Sequence, residues 1–394
     1  MRGKNLLIFR SKILNLNFYL MLFTGKLEYP IGLDISPLSL KLVQFHKKRG
    51  KARIQALDKI NLPPGLIVGG EIKNKPEVAK ILKEFIDKPK YGRVTSDRAI
   101  VCLPETKTFA KLIEVERGPN NLADIIEAEI EKHVPMLMDE IYYDWQVVER
   151  KKDLYSVLIG AAPRKIVDEY NALFNDVDLL VEAMEIEPLS LARSLLKEES
   201  PGFPAKDDKN YILIDMGATR TSLVFYSKNT ILFTVSLSIS GENITNNIAE
   251  TLKISRDQAE IAKILCGLDE EKAEGVIRKI LFQTMAELNA KINEGIKYYN
   301  SYFTDRGPIS QIVLCGGGAN IRGITEMIRQ AANIEVKKGD SLVNLSEPDK
   351  ALELFGKVFS VSSEADSQNT PQDHSLTFAT AIGLGLRGLF IDNI

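Results

Sequence analysis

The stretch Ile212-Leu213-Ile214-Asp215-Met216-Gly217-Ala218-Thr219-Arg220-Thr221-Ser222-Leu223-Val224-Phe225-Tyr226 decides how the chain is read. Apolar Ile212 to Ile214 spells a buried strand, and Leu223 to Tyr226 spells its antiparallel return. Between them lie one carboxylate, one glycine and a run of small hydroxyls. Such a turn can bring backbone N–H groups and hydroxyls up to a phosphate, because Gly217 has no side chain to hold an oxyanion away. Asp215, at the strand end, is placed to hold a hydrated divalent cation. Alone, the motif reads equally well as an Asp-x-Gly hairpin with no ligand. A second, similar unit near the start of the chain favours the ligand-binding reading.

That unit is Ile31-Gly32-Leu33-Asp34-Ile35, followed by strands over Leu38 to Phe45 and Arg53 to Ile60. The later stretch is likewise followed by a third strand, Ile231 to Ile239. Each half therefore opens strand-strand-strand with an aspartate closing the first strand. Two such lobes can face one another across a cleft and bring both carboxylates to one site. A third element, Gly316-Gly317-Gly318, sits at a strand-to-helix turn where a flat base or ribose can approach the backbone.

Composition sets the bounds. With 394 residues, 44% hydrophobic and 26% charged, the chain has material for two domains with large cores. A net charge of −2 argues against broad electrostatic binding to nucleic acid or anionic lipid. Cys102, Cys266 and Cys315 are odd in number and widely spaced, which fits a reducing compartment rather than a disulfide framework. His46, His133 and His374 lack metal-ligand spacing. Leu6 to Phe23 is interrupted by Arg10, Ser11, Lys12, Asn15 and Asn17, short of the about 20 apolar residues a spanning helix needs. Residues 1–29 are expected to be a poorly ordered extension, with Met21 a candidate start.

The remaining elements follow from periodicity. Lys75 to Ile86 reads as an amphipathic helix and Ala99 to Leu103 as a buried strand. From about 104 to 180 the pattern is a self-contained βαββα insert, with a helix over Leu122 to His133. A strand and a helix containing Pro188 follow, and then the linker at 200–208, rich in Pro, Gly and charge. In the second half, Gly241-Glu242-Asn243 is read as ending the third strand. Helices are expected over Ile244 to Leu252, Ser255 to Leu265, Gly275 to Phe303 and Ile324 to Ala332. Asp340 to His374 is read as irregular, and Leu376 to Phe390 as a small-residue helix that allows close backbone packing.

These motifs resemble the actin/sugar-kinase/chaperone ATPase superfamily. Gly32-Leu33-Asp34-Ile35 through Lys41 looks like its first phosphate motif, with the lysine seven residues after the aspartate. Asp215 to Thr221 looks like the second, Val313 to Ala319 like the adenosine motif, and Ala379 to Gly385 like the helix connecting the lobes. Within the superfamily the chain resembles the PilM family of type IV pilus assembly and its FtsA relatives. That likeness is carried by Leu103-Pro104-Glu105 to Val115, Ala128 to Pro135, Asp144 to Val148, Ser238 to Thr245 and Gln258 to Lys263. The implied fold is α/β, actin-like (ribonuclease-H-like), two-lobed, with a βαββα-type inserted subdomain (the SHS2 type). The implied division is 30–103 (1A), 104–180 (the insert, 1C), 181–205 (end of lobe 1), 206–240 (2A), 241–308 (2B) and 309–394 (2A with the connecting helix).

The resemblance implies ATP and Mg²⁺ as ligands. The implied nucleotide residues are Asp34, Ser36, Ser39 and Lys41; Asp215, Gly217, Ala218, Thr219 and Thr221; Gly241, Glu242, Glu260 and Lys263; and Gly316, Gly317, Gly318 and Asn320. Asp34 and Asp215 would hold the metal through water. The first loop departs from the family pattern. Ser36-Pro37-Leu38-Ser39 stands where Gly-Ser-Ser-Ser is usual, and Pro37 removes a backbone donor. Binding is therefore expected to shift toward the second hairpin. Turnover needs a group that orients water. The residue offered is Glu187, which reads equally well as a surface carboxylate before Pro188.

The implied role is a cytoplasmic adaptor at the inner face of the cytoplasmic membrane. It would dock the cytoplasmic N-terminal peptide of a PilN-like bitopic protein, with pilus motor ATPases and self-association as further contacts. Alternatives are an FtsA-like division filament and a small-molecule kinase of the same superfamily. The kinase would need an acceptor pocket and a base that no segment clearly supplies.

Overall fold

A computed structural model describes residues 28–48, 51–118, 121–200, 203–204, 209–359 and 373–389. The extension up to residue 27, most of the linker after Ser200, and residues 360–372 lie outside the described residues. The first sheet is built from β1 (Ile31–Ser36), β2 (Ser39–Lys48), β3 (Lys51–Asn61), β4 (Tyr91–Gly92), β5 (Arg98–Leu103) and, beyond the inserted elements, β9 (Leu180–Ile186). Its order is β9-β5-β1-β2-β3-β4. β1 to β3 form an antiparallel meander, and β5 joins β1 in parallel. β1 reads apolar without alternation because both faces are covered: Ile31 and Leu33 are buried within a continuous core.

One face of this sheet carries α1 (Lys75–Asp87), whose N-terminus is capped by Asn74 and whose buried side is Val78, Leu82 and Phe85. The other carries α4 (Glu187–Leu195) and α10 (Ala379–Gly388). The small residues of α10 are required by contact. A Cβ on Gly32 would lie 2.3 Å from the Ala381 carbonyl, and one on Gly383 would lie 1.9 Å from the Ser190 carbonyl. Glu185 at the end of β9 is buried and accepts from Arg193 of α4 and Arg387 of α10, which pins the three elements together.

The second half repeats the plan. β10 (Asn210–Met216), β11 (Thr221–Ser227) and β12 (Thr230–Leu237) form a meander, and β13 (Gln311–Cys315) joins β10 in parallel, with β14 (Glu335–Lys338) beyond it. The inserted elements are β6 (Phe109–Glu116), α2 (Leu122–His133), β7 (Ile141–Arg150), β8 (Leu154–Pro163) and α3 (Arg164–Asp176). Its strands and α2 bury a core of their own: Ile113, Val115, Ile126, Ile130, Val157 and Ile159. They also extend the second sheet, because β6 pairs with the edge strand β12 at Phe233 and Lys111. Nothing in the sequence pattern says which sheet the insert lengthens.

Two expectations need correcting. Gly241-Glu242-Asn243 does not close a strand; it opens α5 (Gly241–Leu252), with Ser240 as N-cap accepting from Asn243 N–H. The segment after Asp340 is not all irregular: α9 (Pro348–Phe359) lies within it. Its buried contribution is small, chiefly Ala351 and Phe355, so its apolar stripe is thin in sequence. The remaining helices are α6 (Arg256–Leu265), opened by a Ser255–Gln258 capping box, α7 (Val276–Tyr302) and α8 (Ile324–Ala332).

Candidate functional site

The first hairpin is closed upon itself. Only Pro37 and Leu38 separate the Ser36–Ser39 pair. Ser36 Oγ donates to the Ser39 carbonyl at 3.0 Å and lies 2.9 Å from Ser39 Oγ. Both serines expected at a phosphate are thus engaged with each other. Asp34 and Lys41 face one another across the strands, Nζ to Oδ2 2.7 Å, with side chains 9% and 12% exposed. Burial pulls the Lys41 ammonium down, but Asp34, backed by Asp215 and Glu187, more than offsets this and holds it above its usual value.

The second hairpin is open. Four residues, Gly217 to Arg220, separate Met216 from Thr221, and Ala218 and Thr219 are exposed. The Gly217 N–H closes the turn on the Arg220 carbonyl at 2.9 Å. The Gly217 and Ala218 carbonyls accept from the N–H groups of Gly241 and Glu242, seating the start of α5 on the turn. Thr221 is misassigned as a ligand contact: it is buried, and its hydroxyl donates to the Ile239 carbonyl at 2.9 Å. A strand-end threonine that alternates inward serves the hairpin rather than the cleft.

The glycine turn wraps the second aspartate. Cys315 lies beside Asp215 in parallel register, and the chain then reverses at Gly316 with φ +76°. A Cβ there would lie 2.2 Å from Asp215 Oδ1, and one on Gly318 would lie 2.6 Å from the Met216 side chain. A Cβ on Gly317 would meet nothing within 4 Å, so this residue borders open space. Asn320 is committed to the Asp373 carbonyl at 3.3 Å, and the Gly316 N–H to the Leu376 carbonyl. Both tie the turn to the segment leading into α10. On α6, buried Lys263 donates to Glu260 at 2.6 Å, to Thr245 Oγ1 at 2.8 Å and to the Gly241 carbonyl at 3.2 Å. Glu242 accepts from Arg256.

The carboxylates converge where the hairpins meet. Burial is the main reason that the Asp215 pKa is raised to about 6; Lys41 opposes the shift, while Asp34 and Glu105 add to it. Burial, with Asp215, Glu105 and Asp34, pushes Glu187 well above the usual carboxylate range. Thr380 of α10 donates to Glu187 at 3.1 Å. Glu187 is therefore half-buried among the cleft acids, where α4 begins, and not on the outer surface.

Two cleft residues escaped the sequence reading. Glu105 follows β5 and reaches the second hairpin, accepting from Ser222 with Arg220 3.7 Å away; its Oε1 is buried without a hydrogen-bond partner. The available signal was Leu103-Pro104-Glu105, which served only as a family marker. The other is Lys59 on β3, directly opposite Lys41.

Among the described residues no group of three or more His, Cys, Asp or Glu side chains could hold a metal ion directly. Four carboxylates near Lys41, Lys59 and Arg220, with open space beside Gly317, fit a hydrated divalent cation accompanied by a polyanion. Asp34 and Asp215 would hold it through water, leaving the remaining ligands to the anion. No helix among the described residues is long and apolar enough to cross a membrane.

Comparison with known proteins adds an independent line. A family model described as type IV pilus assembly protein PilM matches residues 32–389. Cell division protein FtsA of Streptococcus pneumoniae serotype 2 is 28% identical over 46% of this chain and 42% of its own length. FtsA of Enterococcus hirae is 24% identical over 47% and 44%. The chain thus spans less than half the length of these curated relatives. Among solved structures, a PilM-PilN type IV pilus biogenesis complex matches with a TM-score of 0.72 at 21% identity, covering 92% of this chain and 98% of that one. Ethanolamine utilization protein EutJ of Carboxydothermus hydrogenoformans matches with a TM-score of 0.52 at 12% identity, over 94% and 96%. At these identities the structural likeness shows the fold, which is α/β and actin-like.

Proposed function

Because the chain belongs to the PilM family of type IV pilus assembly proteins, we propose that it is an ATP-binding, actin-like adaptor within that assembly. Its cleft takes Mg²⁺-ATP, and its surface docks the cytoplasmic N-terminal peptide of a PilN-like bitopic inner-membrane protein. This places it at the cytoplasmic face of the membrane through its partner. The observation that carries the nucleotide reading is the convergence of the two hairpins. Asp34 and Lys41 from one lobe, and Asp215 with the open Gly217–Arg220 turn from the other, meet beside the Gly316–Gly318 reversal. The partner reading is supported by the family and by the fold shared with a PilM-PilN complex.

The cleft residues divide the work. The Gly217–Arg220 turn and Lys41 face the phosphates, Glu260 and Lys263 the ribose side, and Gly317 the base. The bound metal neutralises phosphate charge. Glu187 is the candidate for orienting a water. Burial and the neighbouring acids favour its neutral form, which weakens it as a base toward that water.

Calorimetric titration of Mg²⁺-ATP, with and without a synthetic PilN-type N-terminal peptide, tests both halves. Each ligand should change the affinity for the other by the same factor. Binding of neither ligand contradicts the proposal. A second reading, filament formation as in a division protein, draws on the FtsA similarity. ATP-dependent sedimentation of the purified chain favours that reading, and a monomer in the supernatant favours the adaptor.

A further inference from the structure

We propose that Lys59 is a phosphate-binding cation of this cleft, contributing a charge that no carboxylate among the described residues pairs with. The inference rests on the nucleotide reading above and deepens it. Lys59 and Lys41 are directly opposed on neighbouring antiparallel strands, so both side chains leave the same face of the sheet. Like charges in that position repel, and an anion lying beside both relieves the repulsion. Asp34 serves Lys41 at 2.7 Å. The other cleft cations are also committed: Lys263 to Glu260 and Arg220 to Glu105 and Ser236.

Among the described residues the Lys59 ammonium has neither a carboxylate within ion-pair distance nor a side-chain hydrogen bond. It is nevertheless half-buried. A half-buried, unpartnered ammonium on the wall of a cleft is a site for an anion that arrives from outside. The charges that act on it are Lys41 and Lys90, which disfavour its charged form, and Asp34 and Glu260, which favour it. Glu260 belongs to the second lobe, so Lys59 is close enough to the cleft to feel a charge on its far wall. Burial, with Lys41 and Lys90, lowers its pKa to about 8, against the pull of Asp34 and Glu260. A phosphate brought alongside stabilises the charged form and returns the pKa upward.

The test compares Mg²⁺-ATP with adenosine, titrated into wild type, Lys59→Met and Lys59→Arg. Lys59→Met should weaken ATP binding by about tenfold or more, as loss of a charge-assisted hydrogen bond implies. Adenosine binding should be unchanged, and Lys59→Arg should restore most of the ATP affinity. Wild-type ATP affinity should also fall as pH rises through about 8, where the ammonium is lost, and both variants should lack that step. Equal ATP affinity in wild type and Lys59→Met overturns the inference while leaving the nucleotide reading intact. An equal loss for ATP and adenosine also overturns it, because Lys59 would then act by closing the lobes on Glu260. If wild type binds no ATP at all, both readings fall.

Discussion

The two halves of the molecule open with the same meander, yet their first hairpins have diverged. In the first, two residues join the strands, the flanking serines bond to each other, and the aspartate is neutralised by a lysine 2.7 Å away. In the second, four residues join the strands, two of them exposed, and burial leaves the aspartate with a pKa raised to about 6. One hairpin has satisfied its polar groups internally; the other carries an unsettled charge. Buried polar groups that are not satisfied within a protein are where ligands find affinity. On the proposed function, the first hairpin frames the cleft and the second is where binding free energy would be gained.

The largest expected effect separates the two aspartates by stability. Asp34→Ala strands Lys41 and should destabilise the fold by about 3 kcal/mol, read by urea unfolding. Asp215→Asn removes a half-buried charge with no ion-pair partner and should leave stability unchanged or raise it by about 1 kcal/mol. Equal losses in the two variants would erase the distinction. The next effect is pH. With Asp215 holding the cation as proposed, Mg²⁺-ATP affinity should fall as pH drops through about 6, approaching tenfold per pH unit below it. Stability moves the other way. A carboxyl whose folded pKa lies above its unfolded one binds protons preferentially in the fold, so wild type should gain on Asp215→Asn as pH falls from about 7 to about 4. Thermal unfolding of the pair across that range reads the sign. The smallest effect tests the closed turn. Pro37→Gly restores a backbone donor and loosens the first loop, so ATP affinity should rise by a few-fold while stability falls by about 0.5–1 kcal/mol.

The meanders and the glycine turn were legible because their signals are local: an apolar run, a polar break, and a residue type that only close approach explains. Gly32 of β1 and the glycines of α10 fall in the same class, since Gly32 and Gly383 leave no room for a Cβ. Thr221 was misjudged because its role depends on strand alternation at a hairpin whose length the sequence does not state. The start of α5 was misplaced because Ser240 serves both as the end of an extended run and as an N-cap. Glu105 and Lys59 were missed for a different reason. Each lies outside any phosphate motif and enters the cleft only through tertiary packing, one by crossing to Ser222 and the other by facing Lys41 across a strand pair. The joining of β6 to β12 is equally non-local, a single pairing between residues far apart in the chain.

The central claim is that the second hairpin holds the nucleotide. Its most direct test is calorimetric titration of Mg²⁺-ATP into wild type and Asp215→Asn at neutral pH, with unfolding curves showing that both are folded. The account predicts saturable binding to wild type and a loss of about a hundredfold or more in the variant, the scale of a displaced metal contact. Matching affinities in the two folded proteins would contradict it.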